Sequence, residues 1–106
     1  MTLLAWGVFL LAAMMEVTGD AVIRKGMRGA GLAYMAAGFL VLGSYGFVVN
    51  LVRWDFSRLM GVYIAIFALV SILTGRVIFK ETIPHSTWLG LILIVCGGLV
   101  IQFGRR

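Results

Sequence analysis

The chain has 106 residues, 62% of them hydrophobic and 12% charged, with nine Lys and Arg against four acids for a formal net charge of +5. A soluble domain of this length is nearer half apolar with about a quarter of its residues charged, so the composition argues against a soluble fold. The positive excess gathers at the ends of apolar stretches, as headgroup anchors do, and forms no basic stripe with interleaved aromatics of the kind that binds nucleic acid.

The first predicted helix runs from about Leu3 to Ile23 and ends at Arg24-Lys25-Gly26-Met27-Arg28. No basic segment precedes it, and Glu16 and Asp20 stand where a signal-peptide cleavage site would lie, so it is expected to remain as a spanning helix. The second runs from about Ala30 to Val52 and ends at Arg53-Trp54-Asp55. The third runs from about Leu59 to Phe79 and ends at Lys80-Glu81-Thr82-Ile83-Pro84. The fourth runs from about Thr87 to Phe103 and ends at Arg105-Arg106. A spanning helix needs roughly 20 apolar residues, with about 17 as the lower limit, and all four qualify. The connections are too short for a soluble domain, so neighbours are expected to be antiparallel. The fold class is therefore an all-α membrane protein, one domain of four transmembrane helices. Trp6, Trp54 and Trp88 fall near segment ends, where interfacial aromatics belong.

Glu16 is the most informative residue. An ionisable group in lipid is expensive, and such groups mark ion or substrate paths by facing a bundle interior or a water-filled cavity. With Glu16 as reference at about 100° per residue, Ala5, Phe9, Ala12 and Asp20 lie within roughly 40° of it. This face is small and aromatic around a carboxylate, and Phe9 can contact an apolar or cationic ligand. A carboxylate there can take up a proton or a cation but not both, and that competition is sufficient for exchange transport. The alternative is a structural ion pair. Arg24 is more than two turns from Glu16, about 12 Å along the axis, and pairs better with Asp20 one turn away. Asp20 thus has two readings, a helix-end ion pair or a second acid of the site. Tyr63 in the third segment can hydrogen-bond a carboxylate or serve in ordinary packing. Ser44 and Tyr45 in the second are weaker candidates of the same kind.

Four helices alone make a thin bundle, so an oligomer is expected. On the fourth segment Gly90 and Gly97 share one face, with Cys96 and Gly98 as small neighbours. Small residues on one face let helix backbones approach closely, although lipid contact or packing within the chain would serve as well. The side of the membrane holding the termini carries Arg53, Arg58, Arg105 and Arg106. The other carries Arg24, Lys25, Arg28, Arg76 and Lys80. Four against five gives the positive-inside rule almost nothing to act on. Two copies in opposite orientations are then possible, as an antiparallel dimer; a fixed topology follows instead if Arg58 and Arg76 are not loop residues. Cys96, the single cysteine, reads as a buried thiol acting as a small apolar side chain. No metal cluster, cofactor site or nucleophile–base set is legible, and His85 reads as a loop residue rather than a catalyst, so the chain is not expected to be an enzyme.

Four helices, a central glutamate in the first and a glycine face in the fourth give a chain that resembles the small multidrug resistance transporter family over nearly its whole length. Glu16-Val17-Thr18-Gly19 looks like that family's Glu-Val-x-Gly signature. Gly61-Val62-Tyr63-Ile64-Ala65 stands at its Ala-Tyr-Ala-x-Trp segment. Thr74-Gly75-Arg76-Val77 through Glu81 looks like its Thr-Gly-x-Val and Gly-Glu pattern, and Gly90, Leu93, Ile94 and Gly97 match its dimerisation motif. The resemblance implies a proton-coupled exporter of a small or hydrophobic cation in the bacterial cytoplasmic membrane, working as an antiparallel dimer. The partner would be a second copy or a paralogue. Glu16 would carry protons or substrate, and Tyr63 would take the place of a site-lining tryptophan. Met60 stands where the family has a tyrosine, and Asp55 where it has a proline; Asp20 and Arg58 are additions. A lipid or lipid-linked headgroup flippase is the second reading, with Asp20, Arg24 and Arg58 handling the headgroup. Relatives of that kind generally lack the central acid. A non-transporting accessory subunit is the third.

Overall fold

The structure is a computed structural model that describes residues 2–104. The C-terminal anchors Arg105 and Arg106 lie outside the described residues. The described residues form four α-helices: α1, Thr2–Lys25; α2, Leu32–Val49; α3, Phe56–Val77; and α4, His85–Phe103. All four are long and apolar enough to cross a membrane, and no strand occurs among the described residues. Large apolar side chains such as Leu3, Phe39, Phe47, Ile92 and Phe103 are exposed on every helix surface, which suits a hydrocarbon solvent and not water.

The helix ends differ from the sequence reading, each for a local reason. The Asn50 side chain donates to the Gly46 carbonyl at 2.8 Å, and Leu51 and Val52 close short turns onto Val48 and Val49. An amide side chain that competes for backbone partners ends a helix, so α2 stops at Val49. Asp55 then starts α3, its carbonyl accepting from Leu59 at 2.8 Å. Arg58 therefore belongs to the first turn of α3 and not to the loop. At the other end of α3, Ile78 and Phe79 both donate to Thr74, Glu81 donates to Gly75, and Lys80 takes φ 55°. A Cβ on Gly75 would sit 2.5 Å from the Glu81 carboxylate, so glycine makes room for the chain to fold back. The Gly26–Ala30 turn reverses the chain between α1 and α2 through φ 122° at Gly29 and 105° at Gly31, backbone that favours glycine. The Lys25 ammonium lies 5.5 Å from the centre of the Tyr34 ring, tying the two sides of this turn.

The helices make two compact units, α1 with α2 and α3 with α4. In the first, glycine sets both the distance and the register. A Cβ on Gly26 would meet the Met35 side chain at 2.7 Å, and one on Gly19 would meet Leu42 at 2.8 Å. On Gly38 it would meet Ile23, and backbone besides: Gly19 O at 2.7 Å and Ile23 N at 2.9 Å. The contacts step through 26, 23 and 19 on α1 as they step through 35, 38 and 42 on α2. Alternating steps of three and four are the repeat of a packed helix seam. In the second unit Gly98 lies against the Ala65 side chain and Gly61 against Ile101, while Leu59, Val62 and Leu91 are buried.

Gly38→Ala should force the two backbones of the first unit apart and cost about 1–3 kcal/mol, the range for overpacking. Gly43, on the same helix, has open space where its Cβ would be, so Gly43→Ala should leave stability unchanged or slightly raised. The midpoint of SDS-induced unfolding, followed by circular dichroism, compares the two.

Candidate functional site

Continued by its own steps, the α1–α2 seam passes from Gly19 and Leu42 to Glu16 and Tyr45, and then to Ala12 and Val49. Ala12 and Val49 are both buried, as the register requires. The same register sets Tyr45 opposite Glu16, so this step of the seam pairs a phenol with a carboxylate. Glu16 is half-buried. It is the one ionisable residue among the α1 seam positions Phe9, Ala12, Glu16, Gly19, Ile23 and Gly26.

Phe9 and Ala12 have no exposed surface, and Phe9 meets Trp6 edge-on at 6.1 Å between ring centres. The sequence-predicted residues Phe9, Ala12 and Glu16 therefore share one face of α1. Asp20 lies one helical step off the seam and is exposed, one turn before Arg24. Ser44 is exposed too, and its hydroxyl donates to the Leu40 carbonyl at 2.9 Å, so its one donor is spent on its own helix. The informative hydroxyl of α2 is its neighbour Tyr45. The sequence signal for Tyr45 was there, but only a known register distinguishes it from Ser44.

In the second unit Tyr63 is buried, with its ring stacked on Phe67 at 6.2 Å and 28° between planes. Met60 is half-buried three residues earlier. Gly90 and Gly97 have open space where a Cβ would be, and Leu93 and Ile94 are exposed beside them. Gly98 is different: it is buried against α3. Two adjacent glycines thus serve different faces of α4. Cys96, expected to be buried, is instead a free thiol exposed on α4 beside Gly97.

Sequence reasoning missed Gln102, a buried amide near the end of α4. Arg58 donates to its Oε1 through Nε at 3.2 Å and Nη2 at 2.9 Å, and the guanidinium stacks 3.8 Å from the centre of the Trp54 ring. Both interactions suit the planar, weakly hydrated arginine head better than a lysine. The signal was a lone amide in an apolar helix, at the level where an antiparallel neighbour carries an arginine. Among the described residues no three His, Cys, Asp or Glu side chains converge to hold a metal ion.

Comparison with known proteins adds a family. Residues 2–106 match the family described as "Uncharacterised BCR, YnfA/UPF0060 family". A UPF0060 membrane protein of Kineococcus radiotolerans is 36% identical over 100 residues, covering 92% of this chain and 90% of that one. One from Mycobacterium marinum is 32% identical, with coverage of 92% and 91%. One from Bacillus licheniformis is 28% identical over 106 residues, covering 98% of each. No solved structure gives a significant match.

Gln102→Leu should remove the acceptor of a part-buried guanidinium and cost about 1 kcal/mol, the low end for an unsatisfied polar group because Arg58 keeps some access to solvent. Adding Arg58→Met should recover part of that loss, because both halves of the pair are then apolar. A double-mutant cycle on the unfolding midpoint reads the coupling.

Proposed function

We propose that this chain, which belongs to the UPF0060 (YnfA) family of membrane proteins, is a proton-coupled antiporter for a small or hydrophobic cation. The observation that carries the reading is Glu16, a half-buried carboxylate placed within the seam of an apolar helical hairpin. A negative charge at that depth is costly. A proton or a cation removes the cost, and only one of them can do so at a time. A site that changes sides when neutralised, and resists doing so when empty and charged, exchanges protons for cations.

Other features support this reading. Phe9 and Ala12 continue the Glu16 face of α1, giving an apolar and aromatic surround suited to a lipophilic cation. The open Gly90–Gly97 face of α4, with Leu93 and Ile94 beside it, suits close approach by a second copy. Two copies would bring two Glu16 carboxylates to one site. Arg58 and Arg76 both lie within α3 and not in loops, so by the positive-inside argument the charge balance does not favour copies of opposite orientation, and the second copy rests on the α4 face alone. The motifs shared with small multidrug resistance transporters point the same way, and the reading implies a location in the bacterial cytoplasmic membrane. The headgroup-flippase reading draws less support, because Arg58, one of its three headgroup residues, is engaged by Gln102 and Trp54.

The test is cation-driven proton movement in proteoliposomes, across a panel that includes guanidinium, tetrabutylammonium and larger aromatic cations. Wild type should give a proton flux with at least one of them. Glu16→Gln should abolish it while keeping the helical spectrum and elution volume of wild type, and normal flux in that variant refutes the proposal. Asp20→Asn should lose less than about tenfold, since an exposed pair or charge near a helix end contributes little.

A further inference from the structure

We propose that the Tyr45 hydroxyl is the resident partner of the empty Glu16 carboxylate, stabilising its bare charge against an incoming cation or proton. The inference rests on the antiporter reading for its functional consequence and on the seam for its geometry. Three steps of the α1–α2 seam are fixed by direct contact, at Gly26 with Met35, Ile23 with Gly38, and Gly19 with Leu42. The next step in that register sets Glu16 against Tyr45, and the step after it, Ala12 against Val49, is buried on both sides. Of the α2 seam residues Met35, Gly38, Leu42, Tyr45 and Val49, only Tyr45 has a polar side-chain atom. A phenol donates one hydrogen bond, and a carboxylate in an apolar surround gains more from it than in water.

The pairing gives Tyr45 two uses at one place. While the site is empty, its O–H donates to Glu16 and lowers the cost of the bare charge. When a cation arrives, the hydroxyl gives up the carboxylate, and the ring beneath it offers an aromatic face to the cation. Tyr45 is thus a positioning residue that weakens binding and speeds release. Without the hydroxyl, the empty carboxylate has more to gain from a cation. Tyr45→Phe should therefore bind more tightly and turn over more slowly; at alkaline pH, where protons compete least, its KM should be roughly ten- to a hundredfold lower, with kcat reduced. The factor follows from the 1.5–3 kcal/mol typical of a hydrogen bond to a charged group.

The sequence makes a direct test simple, since it contains three tyrosines, Tyr34, Tyr45 and Tyr63. The full-length protein, labelled with 13C at tyrosine Cζ and held in lipid nanodiscs, gives three signals, with Tyr45 assigned by its loss in Tyr45→Phe. Glu16→Gln should move the Tyr45 signal and leave that of Tyr34 in place. KM and kcat at alkaline pH for tetrabutylammonium, or for the panel cation with the larger flux, are then compared between wild type and Tyr45→Phe. A Tyr45 signal indifferent to Glu16→Gln overturns the inference, even where transport is Glu16-dependent. So does a Tyr45→Phe protein with wild-type KM and kcat. A signal that moves with Glu16→Gln, in a protein that moves no cation of the panel, upholds the pair and retires the antiporter instead.

Discussion

The close approach of α1 to α2 at Gly19 and Gly38 governs the first unit. No Cβ fits there without touching backbone of the opposite helix. Such a contact does more than hold two helices together. It fixes their register, because glycine must face glycine at that level and a slide along the axis would drive Ile23 or Leu42 into backbone. In lipid this matters more than in water. Hydrocarbon does not push apolar helices together, and close packing at small residues takes over that task. Once the register is set, every other seam position follows by steps of three and four, and Glu16 has no choice but Tyr45.

That arrangement brings a costly residue to a place where the cost can be used. A carboxylate on a lipid-facing surface would be avoided by bilayer deformation or by protonation. In the seam, one turn from the tightest packing in the unit, it is held by a rigid frame and can change its state without dragging the helices with it. Rigid support around a reactive group is what allows a small change in charge to have a defined mechanical result. The Gly26–Ala30 turn and the Lys25–Tyr34 contact at one end of the hairpin limit the ways in which α1 and α2 can respond.

Four helices long and apolar enough to span were legible in the sequence, and Glu16 stood out there as a candidate, because both readings depend on one strong energy, that of polar groups in hydrocarbon. The helix ends were not, since there the competing energies are small and local: an Asn50 side chain bonding to Gly46, or an Asp55 carbonyl opening α3 ahead of a charged residue. Glycine was legible as a class and illegible by position. Gly97 and Gly98 are adjacent in sequence yet one faces open space and the other the Ala65 side chain, a difference that rests on rotation of α4 about its axis. Tyr45 was visible only as one hydroxyl among several. Its role emerges from register, and register is a property of two helices together. The comparisons narrow the resemblance in one respect: what they establish is the UPF0060 family, and small multidrug resistance is a likeness in motifs.

Arg58 and Glu16 show how the same chain treats two charges in opposite ways. Arg58 sits at the start of α3 with its guanidinium on the face of Trp54 and two of its N–H groups on one buried amide oxygen. Each of those partners is neutral and none can exchange a proton near physiological pH, so the cation keeps one state and one position. That is how a fold anchors a charge. Glu16 faces a phenol, which can donate a hydrogen bond or present its ring, on a surface that continues into Phe9 and Ala12. An aromatic neighbour with two modes of contact is compatible with both a bare and an occupied carboxylate. Permanent pairing suits structure, and exchangeable pairing suits transport; the chemistry of the partners, more than the depth of the charge, separates the two.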